Sequence, residues 1–299
     1  IFYVPFTTAL ALLVIVVLVL GVSESVIDVG TNTLLVWTYK DKVGSYMNGL
    51  HLCFGIGGFL APVLLAKVLE ISGEFSWAYW LMLPFVIGIA VLVFVIPSPT
   101  IEKAVNKSSQ NGINWVLVGS IVVFYFLWVG AESGFAGWVY AYALKSGLAD
   151  KETAAYLTSA FWGAFTIARF IAVFLSMRFK PVILLNFSLI GTIGSLFLIA
   201  SFPNSFEMLL TGVIGVGIFM ASVFPSMIAF SERRMVISGK ITSWFFIGSG
   251  IGGMTLPWVM GQFIEHNPQV VLYILMGSVA GAFIVLTLIS FGLRPKILD

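Results

Sequence analysis

The sequence predicts an all-α protein that crosses a membrane several times, and three observations lead to that fold class. Hydrophobic residues make up 60% of the 299 residues and charged residues only 9%, while the mean hydropathy is +1.06. Apolar stretches of about 20 residues, the length of a membrane-spanning helix, recur to the C-terminus. They do not follow the ten-residue alternation that is typical of a membrane β-barrel. This composition excludes a soluble domain, and a net charge of +2 is too small to indicate nucleic-acid binding.

Nine membrane-spanning helices are predicted, with boundaries good to a few residues. They cover residues 7–39, 45–70, 75–96, 114–144, 152–177, 181–201, 206–230, 240–264 and 269–293. One long connection, residues 97–113, is polar and rich in turn-forming residues. It predicts a cytoplasmic linker between an N-terminal bundle at 1–96 and a C-terminal bundle at 114–299. Pro225 and Pro257 lie inside predicted spans and predict kinks.

The distribution of basic residues predicts which side of the membrane each connection faces. Lysine and arginine cluster on one side, and by the positive-inside rule that side is cytoplasmic. The C-terminus is then cytoplasmic and the first helix starts outside, in a multi-pass protein of the plasma or inner membrane. The basic residues on the predicted cytoplasmic side are Lys40, Lys42, Lys103, Lys107, Arg178, Lys180, Arg233, Arg234, Lys240, Arg294 and Lys296, against Lys67, Lys145 and Lys151 on the other side.

A short glycine motif occurs at the same place in both halves of the chain. Gly55-Ile-Gly-Gly58 followed by Pro62 recurs as Gly250-Ile-Gly-Gly253 followed by Pro257, with six predicted helices as the repeat unit. Glycine clusters let helices approach closely, so each copy could be only a packing face. The recurrence predicts a parallel six-plus-six repeat, the plan of the major facilitator fold, in which two bundles enclose a central site. On that plan, three further helices of the N-terminal bundle are expected ahead of residue 1.

The first predicted helix carries a polar face within an apolar run. Glu24, Asp28 and Asn32 are spaced four residues apart, so they lie on one side of the helix. A carboxylate at the centre of a spanning helix costs on the order of 2.5–3.5 kcal/mol, and it is tolerated where it faces a cavity or a partner charge. Two acids this close do not both ionise easily, which suits proton coupling, whereas a sodium carrier could hold its ion with oxygen ligands from this face. Alternatively, one of the acids pairs with a basic residue in the helices expected upstream.

The C-terminal bundle contributes one acid and one base at membrane depth. Glu132 lies in a glycine-rich helix with Trp138 and Tyr142 further along, whose rings could stack on a sugar while Glu132 accepts its hydroxyls. The same aromatic residues could equally form an interfacial belt or pack against lipid. Arg169 needs a partner in the membrane, and Glu132 is the best candidate in this chain, in a structural or gating ion pair.

The remaining polar residues in the predicted spans do not indicate an enzyme. On the second helix, His51 and Asn48, one turn earlier, could bind a substrate or only a neighbouring helix. Cys53 lies in an apolar run and is interpreted as a buried structural thiol. The sequence has no phosphate-cradling loop, no His/Cys metal spacing and no nucleophile triad. Neither an enzyme nor a metal or cofactor is therefore predicted.

These motifs together resemble those of a known family. The chain resembles sugar carriers of the major facilitator superfamily, in the branch of the fucose:proton symporters and the sodium-dependent glucose transporters, over essentially its whole length. The motifs that carry the resemblance are Gly21 to Asn32 with its Asp-x-x-x-Asn, Leu50 to Pro62, Val129-Gly-Ala-Glu132 with Gly137-Trp138, Trp162-Gly with Arg169, and Gly250 to Pro257 with Gly261.

The resemblance implies a function and assigns residues to it. In the fucose symporters an acid on the fourth helix, four residues before an asparagine, takes part in proton coupling, and Asp28 and Asn32 occupy that pattern here. Those symporters also use an acid on their first helix, which this chain does not contain, and Glu24 has no counterpart there. The implied function is ion-coupled symport of a sugar or similar polyhydroxylated solute by alternating access, with a proton or sodium as the co-transported ion. Asn32, Asn48, His51, Glu132, Trp138, Tyr142 and Trp162 are the candidate substrate-binding residues, and Asp28 and Glu24 the candidate coupling residues.

Two other functions stay open at this point. The chain could carry another organic solute or a lipid rather than a sugar. It could also be a transporter-like structural subunit of a larger membrane assembly, because three N-terminal helices alone would leave Glu24 and Asp28 facing lipid.

Overall fold

The structure, a computed structural model, describes residues 6, 9–74, 76–96 and 113–292. The α-helices in those ranges are α1 (Leu10–Tyr39), α2 (Val43–Ser72), α3 (Ser76–Val95), α4 (Trp115–Lys145), α5 (Lys151–Arg178), α6 (Pro181–Ser201), α7 (Phe206–Met220), α8 (Val223–Glu232), α9 (Gly239–Gly261) and α10 (Pro268–Gly292). Seven segments within the described ranges are long and apolar enough to cross a membrane. Two further predicted spans, α2 and α9, stand outside that set, and both carry the glycine motif.

Eight of the nine predicted spans agree with these helices to within three residues at each end. The predicted linker at 97–113 lies outside the described residues except for Ile113, and so do Lys103, Lys107, Arg294 and Lys296. The surroundings of Gly58 and the side chains of Pro62, Lys67 and Lys151 are also outside what the structure describes.

Local sequence signals set where several helices begin. Asn114, Asp150, Ser205 and Ser238 each accept a hydrogen bond from a backbone N–H in the first turn of α4, α5, α7 and α9. Each such bond satisfies one donor that a helix start leaves without a partner. Helix α6 begins with Pro181 instead, which has no N–H to satisfy, and its preceding residue makes no side-chain cap.

The C-terminal bundle, α4 to α10, is built around α4, which packs against α5, α9 and α10. The glycines of α9 face it closely: a Cβ atom on Gly252 would clash with the Phe126 carbonyl, and one on Gly248 would lie 2.6 Å from the Val122 carbonyl oxygen. Small residues thus allow two backbones to touch, as expected for helices in a membrane. The core beside this contact is formed by large, fully buried side chains, namely Ile121, Phe124, Tyr125 and Trp128.

The two copies of the glycine motif are used differently. In α9, Gly252 and Gly253 both lie against α4, which confirms the packing interpretation for that copy. In α2, a Cβ on Gly55 would come within 3.5 Å of the Thr166 hydroxyl of α5, whereas one on Gly57 would meet no atom within 4 Å. Among the described glycines of the motif, only those of the α9 copy form a backbone-to-backbone contact.

The seventh predicted span, residues 206–230, is not one continuous helix. It is interrupted after Met220 and resumes at Val223, so it consists of α7 and α8. Pro225 explains the break, since it has no N–H and cannot bond to the Ala221 carbonyl four residues earlier. The kink predicted from Pro225 is therefore a break that leaves a polar carbonyl inside the bundle. Ser222, beside it, lies 3.1 Å from Ser188 of α6, hydroxyl to hydroxyl.

The first three helices contact the C-terminal bundle mainly through α2, which packs against α5 and α8, while α1 packs against α2 and α9. Apolar side chains along the first half of α1 are largely exposed, as on a lipid-facing surface. The interpretation of Cys53 as a buried thiol was wrong: Cys53 is exposed on α2, next to the exposed Phe54. Apolar neighbours in the sequence do not show whether a side chain faces the protein core or the lipid.

Candidate functional site

Arg169 lies where the two bundles meet and connects three of the spans. The residue is only 4% exposed. Nε donates to the Ala221 carbonyl at 3.1 Å, and Nη1 donates to the His51 carbonyl of α2 at 2.8 Å. The guanidinium also lies over the Phe165 ring, 4.3 Å from its centroid. Arg169 thus satisfies the carbonyl that Pro225 leaves open and links the C-terminal bundle to α2.

The predicted pairing of Arg169 with Glu132 is present but incomplete. Arg169 Nη2 lies 3.7 Å from Glu132 Oε1, within ion-pair range but too far for a direct hydrogen bond. The other carboxylate oxygen, Oε2, accepts a bond from the indole N–H of Trp128 at 3.0 Å. Glu132 is therefore oriented by its own helix, and one of its oxygens has room to bind a further donor.

His51 and Asn48 bring buried polar atoms without partners to the same region. The Asn48 amide nitrogen donates to the Gly44 carbonyl at 2.8 Å, but its Oδ1 atom has no partner. The His51 Nε2 atom is likewise buried and has no hydrogen-bond partner. A buried polar atom without a partner costs about 1–3 kcal/mol, so such atoms are expected where a bound molecule or water completes them.

Aromatic side chains surround this polar group. Phe224, in the first turn of α8, lies 5.0 Å from His51 and 4.9 Å from Tyr125, between ring centroids. Trp162 lies two turns before Arg169 on the same face of α5 and is 39% exposed. We use the name Arg169 cluster for Asn48, His51, Glu132, Arg169 and Phe224, together with Trp162.

Trp138 and Tyr142, predicted as substrate-binding residues, have their polar atoms occupied by α9 and α10. The Trp138 indole donates to the Pro257 carbonyl at 2.9 Å, and its ring lies over Gly261. The Tyr142 hydroxyl accepts a bond from Gln269 at 3.0 Å, and the residue is buried. These contacts hold both side chains against neighbouring helices of the C-terminal bundle, and the structure does not bring them together with Arg169.

Among the described residues, the polar face of α1 makes no hydrogen bond or ion pair to the Arg169 cluster. Glu24 is exposed and Asp28 is half-buried. Asn32 is buried, donates to the Asp28 carbonyl at 2.8 Å, and leaves its Oδ1 atom without a partner. Within the described ranges, no group of three His, Cys, Asp or Glu side chains is placed to hold a metal ion.

The two bundles are closed against each other at the predicted cytoplasmic end. Thr33 donates to Thr242 at 2.9 Å, and the Trp37 indole donates to the Ile237 carbonyl at 2.7 Å. Ser45 of α2 donates to the Val173 carbonyl of α5 at 3.2 Å. These contacts join α1 and α2 to the C-terminal bundle, and together they are called the closed end below.

Sequence reasoning missed several of these residues. Phe224 and Trp37 carry no charge, and their partners are a neighbouring ring or a backbone carbonyl, which sequence does not reveal. Trp128 could have been found, because it lies four residues before Glu132 on the same helix face. Pro225 alone predicts that the Ala221 carbonyl lacks its helical hydrogen-bond partner. That Arg169 takes the place of this partner is visible only in the tertiary structure.

Comparison with known proteins gives the family context. No family model matches the chain. It is 29% identical to sodium-dependent glucose transporter 1A of Mus musculus, over 93% of this chain and 75% of the relative, and 28% identical to sodium-dependent glucose transporter 1 of Homo sapiens, over 93% and 61%. Major facilitator superfamily domain-containing protein 4A of Danio rerio is 24% identical over 93% of this chain and 70% of the relative. The chain thus spans between 61% and 75% of the length of these relatives, of which two are named as transporters and none as an enzyme.

Solved structures confirm the fold. A variant of the E. coli fucose:proton symporter FucP superposes with a TM-score of 0.76 at 16% identity, over 96% of this chain and 78% of that one. A second FucP structure, in the outward conformation, gives a TM-score of 0.71 at 18% identity, over 87% and 71%. The predicted resemblance is therefore confirmed: this is a multi-pass membrane protein with the major facilitator fold, and its sequence is similar to those of the sodium-dependent glucose transporters.

Proposed function

We propose that this chain is a secondary active transporter, an ion-coupled symporter that carries a sugar or a similar polyhydroxylated solute by alternating access. The observation that carries the proposal is the Arg169 cluster, which lies where the bundles meet and holds buried polar atoms without partners. Relatives named as glucose transporters, and the fold shared with a fucose:proton symporter, support a sugar as the solute class.

A polyhydroxylated solute fits the chemistry of the cluster. Asn48 Oδ1 is a hydrogen-bond acceptor without a partner, and Glu132 Oε1 lies 3.7 Å from the Arg169 guanidinium. Both oxygens can therefore accept hydrogen bonds from the hydroxyl groups of a solute. Trp162 and Phe224 supply apolar ring faces, against which the C–H face of a pyranose packs. Such sites, mostly apolar with a few placed polar groups, are typical of small-molecule binding.

Arg169 can couple the solute to the movement of the bundles. Its bond to the His51 carbonyl joins the two halves, so this bond must break when they separate around α2. The released guanidinium group lies 3.7 Å from Glu132 and can then complete that ion pair with a short movement. In this proposal, Arg169 exchanges a contact between bundles for one within the C-terminal bundle during transport.

The structure corresponds, in this proposal, to an outward-facing state. Its closed end is the end that carries the basic residues of the predicted cytoplasmic side, so in this state a solute cannot enter from the cytoplasm. Alternating access requires the closed end to open and the other end to close about the central site.

Asp28, with Asn32, is the proposed ion-coupling group, and the co-transported ion is a proton or sodium. The Asp28→Asn variant keeps the shape of the side chain but cannot change its charge. We expect it to abolish concentrative uptake while exchange of labelled for unlabelled solute persists in part. Coupled uptake by this variant at the wild-type level would remove Asp28 from the mechanism.

Uptake into liposomes tests the proposal directly. The protein is reconstituted, labelled hexoses are added outside, and an inward gradient of protons or of sodium is imposed separately. Accumulation under one gradient establishes a sugar symporter and identifies its ion. Folded protein that accumulates no hexose under either gradient would contradict the proposed solute class and favour another organic solute or a lipid.

A structural role in a larger membrane assembly is the second candidate. It is favoured by the first half of α1, where apolar side chains and Glu24 are exposed together. Such a subunit would co-purify stoichiometrically with partner chains and would move no solute. Transport by the isolated, reconstituted chain would exclude this role as its only function.

A further inference from the structure

The connection between α1 and α2 is short and lies at the closed end. Only the 3₁₀ turn Lys40–Lys42 separates Tyr39, the last residue of α1, from Val43, the first residue of α2. The rings of Tyr39 and Tyr46 stack across this turn, 3.5 Å apart between centroids. The turn therefore reverses the chain within three residues and holds the two helices side by side.

Lys40 has a backbone conformation that a residue with a side chain rarely adopts. Its φ is 42° and its ψ is −119°, close to the values of the first central residue of a type II′ turn, a position that favours glycine. Among the described residues other than glycine, Lys40 alone has a positive φ, whereas Gly73 and Gly147 are the described glycines that have one. Lys40 is exposed, so burial of its side chain does not explain this strained conformation. The explanation lies in what the turn connects.

Contacts on both sides of the turn attach it to the C-terminal bundle. Three residues before Lys40, the Trp37 indole donates to the Ile237 carbonyl in the connection between α8 and α9. Five residues after Lys40, the Ser45 hydroxyl donates to the Val173 carbonyl of α5. Backbone strain persists where the surrounding contacts over-determine a conformation. The same contacts that close this end of the molecule therefore hold Lys40 in its strained conformation.

We propose that the strained backbone at Lys40 destabilises the closed end, so that the closed and open states stay close in free energy and this end can open during transport. In the closed state, the contacts of Trp37 and Ser45 keep the strain in place. When the end opens, those contacts break and Lys40 returns to a negative φ, so the strain is released. This inference rests on the proposed function, because it requires the closed end to open.

The ratio of open to closed molecules in the reconstituted full chain tests the role of Lys40. Spin labels are attached through Leu34→Cys of α1 and Val236→Cys between α8 and α9, two exposed positions, one in each bundle, in a Cys53→Ser background. Short distances between the labels report closed molecules, and long distances report open ones. The same labels are measured in a Trp37→Phe background, where the closed end has lost one hydrogen bond and open molecules are more numerous.

One substitution and two matched controls separate strain from charge and flexibility. Lys40→Gly relieves the strain in the closed state and should lower the ratio of open to closed molecules roughly fivefold or more. Lys40→Ala removes the charge but keeps a Cβ atom, and it should leave the ratio unchanged. Lys42→Gly adds a glycine to the same turn at a residue without a positive φ, so it reports the added flexibility alone and should not lower the ratio.

The proposal is overturned if Lys40→Gly leaves the ratio unchanged or raises it, since the strain would then be no greater in the closed state than in the open one. It is also overturned if either control lowers the ratio as much as Lys40→Gly does, or if the labels report no open molecules even in the Trp37→Phe background. A chain whose closed end opens but which accumulates no hexose would contradict the proposed solute and leave the role of Lys40 intact.

Discussion

A disulfide across the closed end would show whether that end must open during transport. A Cβ placed on Gly44 of α2 would lie 3.5 Å from the Cβ of Ala229 of α8. Disulfides join Cβ atoms roughly 3.5–4.5 Å apart, so the Gly44→Cys and Ala229→Cys pair is placed to form one. Separation by more than about 1 Å already exceeds that range, and the oxidised protein therefore cannot open this end.

Each cross-linked molecule is expected to lose solute uptake completely. Uptake should fall in proportion to the cross-linked fraction, measured by mass spectrometry of peptides, and a reductant should restore it. The assay uses a Cys53→Ser background, because Cys53 is exposed and could react. As the matched control, Gly49→Cys replaces Gly44→Cys, since a Cβ on Gly49 meets no atom within 4 Å. Undiminished uptake by fully cross-linked protein would refute the argument that this end opens.

Three smaller perturbations test other contacts. Trp37→Phe removes one hydrogen bond of the closed end, which contributes about 1 kcal/mol. The ratio of open to closed molecules, measured as spin-label distances, should therefore rise roughly fivefold. An unchanged distance distribution would show that this bond does not stabilise the closed end. Arg169→Ala leaves the half-buried Glu132 carboxylate and two backbone carbonyls unpaired, and it should cost about 3–5 kcal/mol of folding stability. Adding Glu132→Ala should recover part of this loss, and no recovery would mean that the two residues are not coupled. Gly252→Ala should lower the melting temperature, because its methyl group would clash with the Phe126 carbonyl at a cost of about 1–3 kcal/mol. Gly250→Ala is the control and should leave the melting temperature unchanged, since a Cβ atom there meets no atom within 4 Å.

Much of the fold could be predicted from the sequence because membrane spans depend on composition. A helix such as α6 is recognisable from its apolar run and from Pro181 at its first position, and its bounds were predicted without error. The pair of Arg169 and Glu132 was predictable for a related reason, since a charge at membrane depth needs a partner and few are available.

The parts that escaped prediction depend on backbone atoms and on contacts between distant residues. Thr33 bonds to Thr242, 209 residues away, and Trp37 to a carbonyl 200 residues away. Neither partner has a signature in sequence. Pro225 predicted a kink, whereas the structure has a break between α7 and α8. The bond from Arg169 to the Ala221 carbonyl depends on how α5 packs against α7, which a single sequence does not show.

Gradient-driven hexose uptake by the wild type and by Glu132→Gln, compared in one assay, decides whether solute is transported at the Arg169 cluster. Glu132→Gln preserves the shape of the side chain and removes the charge that faces Arg169. We expect the wild type to accumulate hexose under one ion gradient and the folded variant to lose most of this uptake. Uptake by the variant at the wild-type level would contradict a transport site centred on Arg169 and Glu132.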